Sequence, residues 1–81
     1  MRYMDKILRF TSPTCSPCKM IAKTLENMEL DIPIEVIDIS VNPEVIDNYA
    51  LKSVPTLVYK GSSLVGNKSA KEIYEWLADI E

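Results

Sequence analysis

The chain of 81 residues contains no histidine, only two glycines and two cysteines, and a single tryptophan and phenylalanine. Without histidine there is no Ser-His-Asp triad, no Cys-His pair, no imidazole ligand for zinc and no ordinary proton carrier near neutral pH. Two glycines are too few for a glycine-rich loop that cradles a phosphate. Apolar runs fall far short of the roughly 20 residues a membrane span needs. Arg2, Asp5, Lys6 and Arg9 interrupt the start of the chain, so no signal-peptide pattern is read there. A cytoplasmic protein without a membrane partner is therefore expected. Nine Lys and Arg against twelve Asp and Glu leave a formal charge of −3. That is the wrong sign for binding nucleic acid through its phosphates, so no nucleic-acid partner is expected. The chemistry left is that of carboxylates, hydroxyls, lysine and the two cysteines.

Hydrophobic residues at 47% and charged residues at 26% describe a globular chain, short enough for one domain spanning residues 1–81. Lys6-Ile7-Leu8-Arg9-Phe10 reads as a buried strand running into the polar loop Thr11-Ser12-Pro13-Thr14. Cys15-Ser16-Pro17-Cys18 opens a helix, because proline suits the first turn, where its missing N–H would have had no partner. Ile21, Leu25 and Met28 continue it as one apolar stripe to about Leu30, before Asp31 and Pro33. Ile34–Ile39 is a second strand, apolar on both faces and so expected to be covered on both. Asn42-Pro43-Glu44 reads as cap, first helical position and acidic first turn of a short helix ending near Leu51, with Val45 and Tyr49 inward. Thr56–Tyr59 and Leu64-Val65, joined by Gly61-Ser62-Ser63, form a hairpin. Ser69 and Glu72 make a capping box for a last helix whose Ile73, Trp76, Leu77 and Ile80 face the core. The order is β-α-β-α-β-β-α, an α/β fold with a right-handed βαβ crossover and helices on both faces of a mixed sheet.

Cys15 and Cys18 are three apart, a spacing that random placement would produce roughly once in 40. Two small buried apolar residues, or half of a metal site, would also fit that spacing. A bridge used only as a scaffold is disfavoured, since so short a loop constrains the unfolded chain little. Their place on the map points to redox chemistry. Cys15 sits where a strand ends and a helix begins, and there the amides and dipole favour a thiolate. Lys19 adds a positive charge beside it. Cys18 lies one turn further in, more enclosed and within reach of Cys15. Cys15 is thus the nucleophile that forms a mixed disulfide with substrate, and Cys18 resolves it.

Thr14-Cys15-Ser16-Pro17-Cys18-Lys19-Met20-Ile21-Ala22 resembles the active-site segment of thioredoxins, and Val54-Pro55-Thr56-Leu57 resembles their cis-proline loop. Asn42-Pro43, Tyr49 and Val65-Gly66 also fall at thioredoxin-like positions, so the likeness runs from Lys6 onward. The match does not include the amino-terminal strand and helix of a full thioredoxin; that shorter form and Pro13-Thr14-Cys15 are similar to glutaredoxins. The resemblance implies a thioredoxin fold in its minimal, glutaredoxin-sized form, with a four-stranded mixed sheet. It implies that Val54 presents its backbone to substrate, that Pro55 lies cis against the cysteines, and that Gly66 allows close approach. Thr14, Ser16 and Pro17 complete that substrate-binding surface. Departures are informative: Thr14 replaces the family's tryptophan, Arg9 its buried aspartate and Val36 the accompanying lysine. Arg9 could tune the Cys18 thiolate, or it could reach outward or pair with Asp38. Residues that would hold glutathione are mostly replaced, by Ser12-Pro13 and by Gly66-Asn67-Lys68-Ser69.

The resemblance therefore favours a monomeric dithiol electron donor that reduces disulfide-containing proteins and needs no cofactor. A flavoprotein disulfide reductase such as thioredoxin reductase, or glutathione, would re-reduce it. A glutathione-dependent glutaredoxin is the alternative within this fold. A dimer holding a metal or iron–sulfur cluster through both Cys-x-x-Cys pairs is the alternative of another class.

Overall fold

Ile7 and Phe10 are both fully buried although they point to opposite faces of strand β1 (Ile7–Thr11), so the sheet is covered on both sides. The structure is a computed structural model and describes residues 6–80; Arg2 and Asp5 lie outside the described residues. After β1 come α1 (Ser16–Asn27), β2 (Ile34–Asp38), α2 (Glu44–Asn48), β3 (Thr56–Tyr59), β4 (Ser62–Val65) and α3 (Ala70–Ile80). The sheet order is β2-β1-β3-β4, with β2 parallel to β1 and the other two pairings antiparallel. This is the mixed four-stranded sheet expected from the β-α-β-α-β-β-α order. Among the described residues no helix is long and apolar enough to cross a membrane.

On one face, Ile7, Leu57 and Tyr59 pack against Ile21, Leu25 and Met28 of the α1 segment and Ile73 and Leu77 of α3. The predicted stripes of both helices are thus the core, with Trp76 and Ile80 half-buried at its margin. The Trp76 indole N–H donates to the Ser62 hydroxyl at 3.0 Å, tying α3 to β4. On the other face Phe10 meets Tyr49, ring centroids 5.0 Å apart.

Several boundaries differ from the sequence reading. Helix α1 ends at Asn27 because Met28 turns extended and its N–H closes on the Leu25 carbonyl at 3.2 Å, which swings the Met28 side chain under the core. Asn42 does not cap α2 with its side chain; Pro43 occupies the cap, and Asn42 contributes its carbonyl to the Val45 N–H. Helix α2 closes early through a Schellman arrangement. Ala50 takes φ 53°, its N–H reaches the Asp47 carbonyl, and the Leu51 N–H reaches the Ile46 carbonyl at 2.9 Å. Val45 is half-buried, whereas Tyr49 keeps 41% of its surface exposed despite its contact with Phe10. Strand β2 ends at Asp38 and is an edge strand, so it is not covered on both faces as expected: Val36 is 53% exposed.

The capping box at α3 is formed as read. Ser69 N–H donates to Glu72 Oε1 at 2.9 Å, and Glu72 N–H donates to Ser69 Oγ at 3.2 Å. Those bonds, the Ser69 backbone one foremost, hold the Glu72 carboxyl below its ordinary range. A depressed carboxyl contributes stability above its unfolded value and loses it as pH falls through the folded one. Ser69→Ala removes only the hydroxyl that accepts the Glu72 N–H, and loss of that cap should cost about 1 kcal/mol. The pH-dependent part belongs to the Glu72 carboxyl, so the advantage of wild type over Glu72→Gln should shrink in acid as Glu72 protonates, read from urea midpoints at several pH values.

Candidate active site: a redox disulfide at a helix start

Beyond β1, the Cys15 N–H donates to the Ser12 carbonyl at 3.3 Å, a tight turn across Pro13-Thr14 that delivers the chain into α1. Cys15 takes the N-cap position with extended backbone (φ −98°, ψ 106°), and Pro17 lies in the first helical turn as expected. Where a serine or aspartate oxygen would normally cap, the Cys15 sulfur accepts the Cys18 N–H at 3.1 Å. Cys15 and Cys18 are joined in a disulfide, their Cα atoms 5.2 Å apart. Cys15 is partly exposed, while Cys18 keeps only 1% of its surface.

The loop before β3 closes over this pair. Val54-Pro55 is a cis peptide, Pro55 is buried, and the Val54 carbonyl oxygen lies 3.6 Å from Cys15 Sγ. Thr56 Oγ1 donates to the Ser53 carbonyl at 2.7 Å and pins the turn. Gly66 enters through backbone alone: its N–H donates to the Pro55 carbonyl at 2.8 Å, with φ at 95°. Thr14, Ser16, Pro17 and Lys19 are exposed around the disulfide, and Val54 and Gly66 are half-buried. Of the site residues singled out from sequence, all but Arg9 and the buried Cys18 thus lie on the outer surface around Cys15 or in the loops that touch it.

Sequence reasoning did not assign Met20, Val65 or Asn67 to this surface. Met20 is 59% exposed and Val65 48%, and the Asn67 side-chain nitrogen lies 3.9 Å from Met20 Sδ, joining the β4–α3 loop to α1. A usable signal was present, since Met20 falls off the Ile21–Leu25–Met28 stripe and so faces away from the core.

Arg9 lies on the inner side. Its neighbours across the sheet are Val36 on β2 and Leu57 on β3, under α1. A cavity of about 250 Å³ is lined by Arg9, Thr11, Cys18, Lys19 and Asp38, and another of about 210 Å³ by Arg9, Glu26 and Val36. Burial lowers the Arg9 pKa and the Glu26 carboxylate partly opposes this; a guanidinium so placed remains charged. Pairing with Asp38 does not occur: among the described residues no ion pair joins them. The Asp38 carboxylate is occupied instead by the Ser40 hydroxyl and N–H, at 2.6 and 2.8 Å, which hold its carboxyl below the usual range.

A capped helix start, a bonded pair of sulfurs and a backbone shelf on the facing loop come together here. Together with the fold they define a thiol–disulfide oxidoreductase, its chemistry carried by the two sulfurs, with the Cys18 N–H and the Val54 carbonyl against Cys15. Comparison with known proteins agrees. The thioredoxin family model matches residues 3–79, and the chain belongs to the thioredoxin family. A probable thioredoxin of Methanothermobacter marburgensis is 34% identical over 79 residues, spanning 91% of this chain and 93% of that protein. A thioredoxin of Mycobacterium tuberculosis (strain ATCC 25618 / H37Rv) is 30% identical over 83 residues, spanning 91% of this chain and 72% of its own. The crystal structure of a thioredoxin from Aeropyrum pernix shares the fold with a TM-score of 0.77 at 24% identity, covering 96% of this chain and 76% of that one.

Gly66 has open space where a Cβ would stand, so its requirement is conformational and not steric. Gly66→Ala should lower stability by roughly 1–2 kcal/mol through its positive φ. Thermal unfolding reads this directly; an unchanged midpoint would mean that the loop can relax.

Proposed function

We propose that this protein is a dithiol electron donor that reduces disulfides in partner proteins. The observation that supports it most is the asymmetry of the pair: Cys15 is the partly exposed helix cap, and Cys18 is buried behind it. In the reduced form the Cys15 thiolate would keep the Cys18 N–H as a donor and sit in the positive field of the helix start. It attacks one sulfur of a substrate disulfide, whose other sulfur departs as a thiolate and takes up a proton. Cys18 then attacks Cys15 within the mixed disulfide, expelling the second substrate thiolate and forming Cys15–Cys18. Two electrons pass to the substrate, and the protein is left oxidised.

The backbone of Val54, beside Cys15, would pair with an extended substrate segment, while Thr14, Ser16, Pro17, Pro55 and Gly66 shape the approach. A flavoprotein disulfide reductase or glutathione would return the pair to the dithiol. Arg9 replaces the carboxylate that would otherwise accept the Cys18 proton, so the Cys18 thiolate is favoured by a cation across the shared cavity, with Lys19 acting from the outer side.

Two sets of variants test this. Cys15→Ser should abolish insulin-disulfide reduction, and Cys18→Ser should accumulate a mixed disulfide through Cys15, seen by mass spectrometry. Turnover unaffected by either change would end the proposal. In a Cys15→Ser background, Arg9→Met should raise the pH at which Cys18 becomes alkylated, and Arg9→Lys should largely restore it. A profile indifferent to Arg9 would leave that residue with packing alone.

A further inference from the structure

Charge is sorted along this chain in a way the net value conceals. Residues 6–25 carry Lys6, Arg9, Lys19 and Lys23 and no carboxylate; residues 48–71 carry Lys52, Lys60, Lys68 and Lys71 and no carboxylate. All twelve acids lie outside those two stretches. The fold gathers parts of both stretches at one place. The turn into α1, the loop from Tyr49 to Pro55 and the segment from Gly66 to Ser69 are the three that surround Cys15, joined by the Val54, Pro55–Gly66 and Met20–Asn67 contacts. Lys19, Lys52 and Lys68 stand on these three pieces, the first two exposed and the third half-buried.

Two carboxylates near this end are each engaged by a serine. Asp38 closes β2, on the opposite flank of β1 from β3 and β4, and is engaged by Ser40. Glu72 is bound in the capping box, where Lys68 lies close enough to act on it, and Asp38 lines the cavity that Lys19 also lines, so both lysines are partly balanced. Inside the lysines Pro17, Met20 and Val65 expose apolar surface beside the small hydroxyl residues Thr14 and Ser16.

We infer that this basic collar selects partner proteins whose target disulfide is flanked by acidic residues. The inference rests on the donor reading and names its substrate class. A partly apolar floor admits the segment that carries the disulfide, and the lysines favour carboxylates beside it, at close range where screening is weakest. The net charge of −3 gives an acidic partner no general attraction to the molecule, so its approach is favoured locally, where these lysines stand.

The experiment is single-turnover reduction by the prereduced protein, whose own dithiol supplies both electrons. Three disulfide peptides are compared, identical except for flanking Asp, Lys or Ser. At low ionic strength the acidic peptide should react about tenfold faster than the basic one, and the gap should close in high salt. Lys52→Glu combined with Lys68→Glu should invert the order, which loss of folding could not do. Equal rates for acidic and basic peptides, with the neutral one reduced, would overturn the collar and leave the donor reading intact. Failure to reduce even the neutral peptide would overturn both.

Discussion

One sulfur atom does two things that other proteins divide between residues. Cys15 ends the approach from β1 and caps α1 by accepting the Cys18 N–H, and the same sulfur forms the bond to its partner cysteine. Orphan amides at a helix start need an acceptor, and an anion satisfies them best. Reactivity therefore comes from an unmet demand of the backbone. It persists only while the helix start is held in place, which is the work of the apolar stripe below it: Ile21, Leu25 and Met28 on Ile7, Leu57 and Tyr59. A failure of that packing would free the cap before it damaged anything at the surface.

The opposing loop meets the same constraint from the other side. Val54 brings a carbonyl close to Cys15, buried Pro55 contributes no N–H there, and Gly66 buttresses Pro55 through a backbone bond. The groove is thus built mainly from main-chain groups, whose positions follow from strand pairing. As the proposed docking surface it would accept many sequences and leave discrimination to what surrounds it. Here that rim is partly apolar inside and lysine-bearing outside.

Arg9 marks where this chain departs from the family it resembles. A guanidinium is placed beneath the redox pair, between a cavity it shares with Cys18 and one it shares with Glu26. Arginine tolerates partial burial because its long apolar stem packs while its charge persists. Where the family carries an acid this chain carries a cation at this depth, which in the proposed mechanism would alter the electrostatics around Cys18 without touching Cys15.

Much of this was legible from residue order alone. Periodicity marked α1 and α3, Ser69 and Glu72 marked a helix start, and Cys15-Ser16-Pro17-Cys18 marked the chemistry, because each of these depends on neighbours within one or two turns. The edges of α2 were less legible: Asn42 yields the cap to Pro43, and Ala50 adopts a positive φ that glycine usually signals. Other features are decisions of tertiary structure. Whether Arg9 pairs with Asp38, whether β2 is covered, and which exposed apolar residues encircle Cys15 depend on strand order and on loops far apart in the chain. Local sequence determines what each segment can form and which atoms can react. Only the assembled sheet decides which segments meet, because that choice is made by long-range burial that no short stretch of residues contains.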